Sequence, residues 1–409
     1  MNGLLGSFIE QGITSLGSFI YLAIVARLLP ADSFGIFGLL MTSALFLQSL
    51  HLSGVLTPST MLLSSLDAVG QQEAMRVMRR WHRIGELAAT GIAVLLAICG
   101  WWLAGLFILA LGLRLAYELE RRCGYATARV WRSAALSLIA NGLPFAGLAV
   151  VWVAGVASPA WCFAPFILTG VATLGSRWWY AADPVVDGVA PVVTYRTSLW
   201  PAARWLLPST LFMWVSGLIF PYLLGWLATL TLAGYFTAMR NLLNMPNVVI
   251  QGSESYFLPT LRRLRATGDL VAARRHEWQL IVGFTIVGIL LLAGCGLAPG
   301  FIMKLAFGET LLPAAKYLPW FAAATTLLLV YRAFATVLLS RNLPQAGLYG
   351  YAVGALLSVV ASYPAISWWG LAGAVTLVVV NNLILVSCAV VIFWRRPSDL
   401  ASSIPSAVS

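Results

Sequence analysis

Apolar runs close to twenty residues long recur along the chain from Leu4 to Trp394, and they are continuous rather than alternating with period two. A run of that length crosses roughly 30 Å of hydrocarbon as a helix. A backbone immersed in lipid has to satisfy its own hydrogen bonds, which leaves helices or closed barrels, and the missing two-residue alternation selects helices. The pattern predicts twelve spans, at residues 4–27, 34–64, 83–99, 101–119, 131–154, 159–180, 198–225, 230–256, 278–297, 314–340, 345–364 and 369–394. The third and fourth are separated only by Gly100 and the Trp101–Trp102 pair, a place where tryptophan fits an interfacial belt. The first apolar segment has no basic leader and no small-residue cleavage site, so it reads as a retained span.

A shift of 199 residues lays SFIYLAIVARLLPADSFGIF (Ser18–Phe37) on GLIFPYLLGWLATLTLAGYF (Gly217–Phe236) without a gap. Ile20/Ile219, Leu28/Leu227, Gly35/Gly234 and Phe37/Phe236 are identical, and spans 1–2 fall on spans 7–8. Six spans return a chain to its starting side, so the halves are parallel repeats, a transporter signature. The expected architecture is an all-α integral membrane protein of about twelve transmembrane helices in two six-helix lobes. The first lobe is residues 1–180, a linker covers 181–197, the second lobe is 198–396 and a tail follows at 397–409.

Charge fixes an orientation. The chain is 60% hydrophobic and 10% charged, against the ~25% charged residues of soluble domains. Its formal charge of +11 resides almost wholly in arginine, and only Lys304 and Lys316 are lysines. Twenty basic residues fall in alternate loops or at the adjoining helix ends, and the opposite loops hold Arg27, Lys304 and Lys316. This is the positive-inside pattern and not a nucleic-acid face, and it predicts both termini in the cytoplasm; the bias to arginine over lysine and the short loops suggest a bacterial inner membrane. The cysteines Cys99, Cys123, Cys162, Cys295 and Cys388 stand singly, without zinc or disulfide spacing, and read as small apolar fillers.

Polar stripes mark candidate chemistry. If residues 230–256 form one helix, Arg240, Asn244, Asn247, Gln251 and Glu254 or Ser255 share a face. Arg240 then sits ~15 Å from the outer end, near the bilayer centre, where facing lipid costs at least ~2.5 kcal/mol. One reading is a wet, cationic, amide-lined wall that contacts hydroxyls and a phosphate group. The other is an arginine and amides that tie helices together. The first span carries Ser7, Gln11, Thr14, Ser18 and Tyr21 on one stripe, with Glu10 beside it. Glu10 reads as a protonatable coupling site or counter-charge, or else as an exposed carboxylate near the helix end. Gln48 and His51 lie one turn apart in the second span, and the 199-residue shift sets Gln48 opposite Asn247. His51 is grouped with Glu10 as a coupling or counter-charge candidate, against the plainer account of an interhelical hydrogen bond.

Catalytic patterns are missing. No His/Cys/Asp/Glu grouping has metal spacing, neither G-x-S-x-G nor a P-loop occurs, and the outward loops offer only Asp32 and Glu309 as acids. The expectation is a protein that is not an enzyme and needs no cofactor or metal. A membrane-embedded glycan polymerase or glycosyltransferase is the enzymatic alternative, and Asp32 and Glu309 would be its acids.

Three segments carry a resemblance: AIVARLLPADSFGIFGLL (Ala23–Leu40), LATLTLAGYFTAMRNL (Leu227–Leu242) and FGETLLPAAKYLPWFA (Phe307–Ala322). With the twelve-span layout they resemble the multidrug/oligosaccharidyl-lipid/polysaccharide (MOP) superfamily, and within it the Wzx-type polysaccharide flippases. The family's usual Tyr after FG-x-x is Leu311 here. The resemblance implies a MATE-like pair of six-helix lobes that alternate between inward-open and outward-open states. The implied cargo is an oligosaccharide linked to undecaprenyl diphosphate, with Arg240, Asn244, Asn247, Gln251, Gln11, Gln48 and Tyr21 along its path. Membrane lipids are implied as surroundings, and a proton or sodium ion as a coupling cation. A cation-coupled multidrug exporter of the same superfamily is the alternative. It calls for more intramembrane acids than Glu10.

Overall fold

The computed structural model describes residues 2–66, 68–126, 130–170, 172–173, 175, 194–341, 343 and 345–395, and among these there are helices and turns but no strands. The side chains of Glu10, Gln11, Asn247 and Gln251 lie outside the described set, as do those of Ser7, Glu254 and Ser255. Most of the expected linker (181–193 of 181–197) and the expected tail also fall outside it.

Eight described helices are long and apolar enough to cross a membrane, and Tyr195–Leu218 with Phe220–Leu227, bent by 47°, makes a ninth. The remaining expected spans fall on the shorter apolar helices Gly12–Leu28 and Pro159–Leu168, and on a pair of helices within 230–266. The chain divides into two compact units, Met1–Leu211 and Phe212–Ser409.

In the first unit α1 (Asn2–Leu28) and α2 (Ala31–His51) form a hairpin. Span 2 then passes through a π segment, Leu52–Leu56, into α3 (Thr57–Ser65). α4 (Ala68–Ile98), α5 (Trp102–Ala126), α6 (Val130–Val153) and the short α7 (Pro159–Phe163) follow. Gly100 turns the chain between α4 and α5 at φ +83, a conformation that glycine adopts at no steric cost. The same two helices pack backbone to backbone because α5 offers Gly105 and Gly112 there. A methyl on Gly105 would lie 2.5 Å from the Ala93 carbonyl oxygen, and one on Gly112 2.9 Å from the Ala89 methyl. Small residues at helix crossings are how membrane helices gain van der Waals contact when lipid supplies no hydrophobic drive.

α8 (Trp200–Met213) begins in the first unit and ends in the second. It leads through a second π segment, Trp214–Leu218, to α9 (Phe220–Leu227), α10 (Leu230–Leu243), α11 (Asn247–Ala266), α12 (Leu270–Leu297) and α13 (Pro299–Phe307). α14 (Leu318–Ser340), α15 (Gln345–Trp369) and α16 (Leu371–Arg395) complete the chain. The core here joins Leu280 and Phe284 of α12, Leu329, Phe334 and Val337 of α14, and Leu385 and Phe393 of α16.

The repeat read from sequence has a counterpart in the helix boundaries. α1 ends at Leu28 and α9 at Leu227, while α2 starts at Ala31 and α10 at Leu230, so each boundary recurs 199 residues on (28 to 227, 31 to 230). The matched aromatics Phe37 and Phe236 are both wholly buried.

One expectation fails here. Residues 230–256 are not a single helix: α10 stops at Leu243, a turn covers 244–246, and α11 starts afresh at Asn247. Pro246 has no N–H to donate to Leu242 and its ring crowds that carbonyl, so the ladder breaks where the polar stripe was drawn.

Candidate functional site: a broken cationic helix and buried charge ladders

Arg240 occupies the last turn of α10, a position that favours a cation because the helix carbonyls end there. Its guanidinium carbon lies 5.9 Å from the ring centroid of Trp214, the buried first residue of the second π segment. A cation over an indole face gains electrostatic attraction from the ring. Among the described residues no carboxylate is within ion-pair distance of Arg240.

The π segment that presents Trp214 is stitched in place by side chains. Ser358 on α15 donates to the Ser216 carbonyl at 3.2 Å, and Asn381 on α16 donates to the same oxygen and, at 2.8 Å, to Ser358 Oγ. A π turn leaves carbonyls out of register, and in lipid a neighbouring polar group has to take them up. The first unit repeats the device around Leu52–Leu56. Tyr195 donates to the Gly54 carbonyl at 3.1 Å, and Ser53 Oγ lies 2.5 Å from Thr210 Oγ1.

The break after α10 corrects the proposed stripe. Asn244 is the C-cap of α10 and is exposed, while Asn247 opens the next helix, so the single unbroken helix on which the stripe was drawn is interrupted between Arg240 and Asn247. Asn241, one residue after Arg240, spends its amide on the Thr237 carbonyl of its own helix at 2.9 Å. Gln48 lies half-buried inside α2, and Asn247 is the first residue of α11. Tyr21 is a second correction. It is 3% exposed, its hydroxyl donates to the Cys162 carbonyl at 2.7 Å, and its ring packs on Phe145 and Phe166. A buried phenol with its hydrogen bond already made holds α1 against its neighbours and has no edge for cargo. Ser18 likewise returns its hydroxyl to the Thr14 carbonyl.

His51 faces His82 of α4, Nε2 to Nε2 at 2.8 Å, and His82 Nδ1 lies 2.9 Å from the Met78 carbonyl oxygen.

Sequence reasoning passed over the acids that matter most to this interior. Glu118, Glu120 and Glu277 are the buried carboxylates among the described residues, and arginine holds each of them. Glu120 receives Arg79 from α4 at 2.9–3.1 Å in a forked pair. Glu118 takes Arg121 at 2.8 Å and Arg114 at 3.6 Å. Glu277 on α12 takes Arg341 at 2.6 Å and also Arg265. The available signal was the burial cost itself, since a carboxylate at the end of an apolar span must find a cation and arginines were plentiful nearby. Lys304 in the last turn of α13 meets Glu309 in the loop that follows at 2.8 Å, with both side chains exposed. The hydrogen bond and charge of Lys304 hold the Glu309 carboxyl below its ordinary range, and Glu309 raises the Lys304 ammonium in return.

This arrangement of helices is the MATE fold, that of multi-pass membrane transporters. An inward-facing MATE-family multidrug-resistance transporter of the MOP superfamily superposes with a TM-score of 0.73 at 12% identity, covering 94% of this chain and 93% of its own. The outward-facing conformation of such a transporter gives 0.64 at 14% identity over 96% and 93%. A MOP superfamily transporter from Pyrococcus furiosus, whose reversed pocket polarity is reported to suggest a different function, gives 0.65 at 12% over the same shares. No protein-family model matches the sequence, and no curated protein does.

Proposed function

We propose that this protein moves a polyprenyl-diphosphate-linked oligosaccharide across the bacterial inner membrane by alternating access, supplying surface polysaccharide synthesis without itself catalysing a covalent reaction. The observation that carries the reading is the charge balance of the buried interior. Every buried carboxylate among the described residues is committed to arginine, while Arg240 has only an aromatic partner there. A cationic drug needs a free anionic partner. A diphosphate needs a free cation, and guanidinium is the side chain best shaped to bind phosphate oxygens. A sugar headgroup adds its own demand, because its hydroxyls lose their hydrogen bonds in hydrocarbon and need polar groups along the path. Asn244 is exposed next to the helix break. The similar structures are transporters seen in inward- and outward-facing states, which supports the alternating-access part of the proposal.

Proteoliposomes carrying a fluorescent undecaprenyl-diphosphate trisaccharide test the reading, with headgroup exposure read by a membrane-impermeant quencher. The protein is expected to equilibrate the lipid between leaflets, and Arg240→Ala to slow this at least tenfold, with Arg240→Lys in between. Movement of ethidium by the same vesicles with no movement of the lipid would replace this reading with the drug exporter.

A further inference from the structure

Of the four arginines on α4, one turns inward. Arg79 forks onto buried Glu120, while Arg76, Arg80 and Arg83 are exposed. These three and Leu87, Val94 and Ile98 follow one another at intervals of three, four or seven, so they form a single stripe along the helix. The stripe changes chemistry along its length. Its apolar members are between 53% and 77% exposed, a face for lipid chains, and arginine takes over at Arg83. Arg76 pairs with Glu73 of its own helix. Arg80 and Arg83 have no ion pair among the described residues.

Depth places these two cations at a membrane surface. Trp101 marks the far end of the span, and counting back the roughly 30 Å of hydrocarbon at 1.5 Å per residue lands on Trp81. Arg80 and Arg83 flank that level, where the headgroups of the other leaflet begin. Orientation by charge asks only that arginines crowd one end of the spans. It does not ask that they stand unpaired on a lipid-facing stripe, and the second half shows the difference. α4 ends at Ile98 and α12 at Leu297, again 199 residues apart (98 to 297). The same shift sets Arg76 on Arg275, but Arg80 on Gln279 and Arg83 on Val282. The pair belongs to the first half alone.

We propose that Arg80 and Arg83 form a site on the first unit for one anionic phospholipid of the cytoplasmic leaflet, a lipid that stays with the protein and is not its cargo. Residues three apart on a helix have Cβ atoms about 5–6 Å from each other, so two guanidiniums can close on one phosphodiester, each donating N–H groups to its oxygens. The acyl chains then run along Ile84 and Leu87, both exposed below the arginines on the same side of α4. A zwitterionic headgroup brings an ammonium into the field of the pair and an anionic one does not, which sets the selectivity. The bound lipid holds α4 at its depth. α4 carries α5 with it, through the Arg79–Glu120 pair and the close backbone approach at Gly105.

Native mass spectrometry of the full-length protein, titrated in detergent with phosphatidylglycerol or with phosphatidylcholine, counts the lipids that stay bound. Phosphatidylglycerol is expected to fill one saturable site that phosphatidylcholine does not. Arg80→Gln and Arg83→Gln are each expected to weaken that step about fivefold, the contribution of one arginine near an anionic surface. The Arg80→Lys, Arg83→Lys double variant keeps the charge and is expected to keep most of the binding. Arg274→Gln with Arg275→Gln, at the start of α12, is expected to leave it unchanged. Equal retention of the two lipids overturns the site, as does undiminished phosphatidylglycerol binding in the Arg80→Gln, Arg83→Gln double variant. An equal loss in the Arg274, Arg275 variant would reduce the effect to overall charge and overturn it too. Displacement of phosphatidylglycerol, molecule for molecule, by the undecaprenyl-diphosphate trisaccharide would hand the stripe to the cargo instead. Binding is read here without transport, so vesicles that move no lipid would overturn the cargo reading and leave this site standing.

Discussion

Glu277 of α12 and Arg341, the residue that caps α14, meet at 2.6 Å with side chains only 2% and 8% exposed. The guanidinium also stacks 4.1 Å over the Phe393 ring and donates to the Phe393 carbonyl at 3.3 Å, so one arginine ties α12, α14 and α16 together. The third and fourth spans of the first half are tied by the same kind of bond with its polarity reversed, since there the arginine is Arg79 on α4 and the acid is Glu120 on α5. Each half thus closes its arginine-rich end with a buried ion pair between corresponding helices. Breaking a buried pair by removing one partner leaves a charge with nowhere to go.

Glu277→Ala strands both Arg341 and Arg265. The expected loss is about 3–5 kcal/mol, the usual cost of an uncompensated buried charge. Thermal unfolding in detergent should show the midpoint several degrees lower, and an unchanged midpoint would mean that water reaches this end of the second unit.

The Arg79–Glu120 pair allows a cycle. Arg79→Met and Glu120→Met alone are each expected to destabilise the first unit, while the double substitution recovers most of the loss because two apolar side chains need no partner. Three midpoints against the wild type give the coupling. Additive losses in the double variant would show that the two side chains act independently.

Much of this architecture was legible in the sequence, and the misses share a physical cause. Length and hydropathy locate membrane spans because hydrocarbon thickness sets one scale for all of them, and the hairpin boundaries repeat at 199 residues as the shift predicts. A helical stripe, by contrast, assumes an unbroken ladder. Pro246 was present in the sequence, yet proline is common enough in membrane helices that it does not announce whether it kinks or ends one. Tyr21 was misread because a stripe records which side of a helix a residue shares and not what covers that side. His51 is visible in the sequence but its partner is not, since His82 lies 31 residues away and reaches it only through the packing of α4. The three buried acids escaped notice for a similar reason: each stands among arginines that look like loop charge until the fold turns them inward.

The contact between α4 and α5 gives a steric test free of charge effects. Gly112→Val places branched carbons where the Ala89 methyl already stands and forces the two helices apart. The expected result is loss of folded protein after detergent extraction. Ala89→Gly in the same chain should restore part of the yield by clearing the methyl.

The exposed Lys304–Glu309 pair predicts a negative result. Glu309 is held below its ordinary range, so the attraction is present at neutral pH and is lost as pH falls through the lowered value. Both side chains are in solvent, and such pairs contribute little to stability. Asp32→Asn and Glu309→Gln are therefore expected to leave lipid movement unchanged in proteoliposomes and polysaccharide export unchanged in cells. Loss of product in either variant would revive the polymerase or glycosyltransferase reading, because those are the acids an enzyme facing outward would need.

The break at Asn244–Pro246 makes the last prediction, which joins helix geometry to transport. Pro246→Ala restores an N–H that can reach the Leu242 carbonyl, and with it the chance for α10 and α11 to run as one helix. A straight helix from Thr231 to Arg262 measures about 46 Å at 1.5 Å per residue. Spin labels at those two positions, read by pulsed electron resonance, should therefore report a longer and narrower distance in Pro246→Ala than in the wild type. If the break is what lets Arg240 and the Asn244 amide turn toward cargo, lipid movement should fall in step with the straightening. A variant that straightens and still transports would separate the broken helix from the transport path and leave Arg240 to act from an unbroken one.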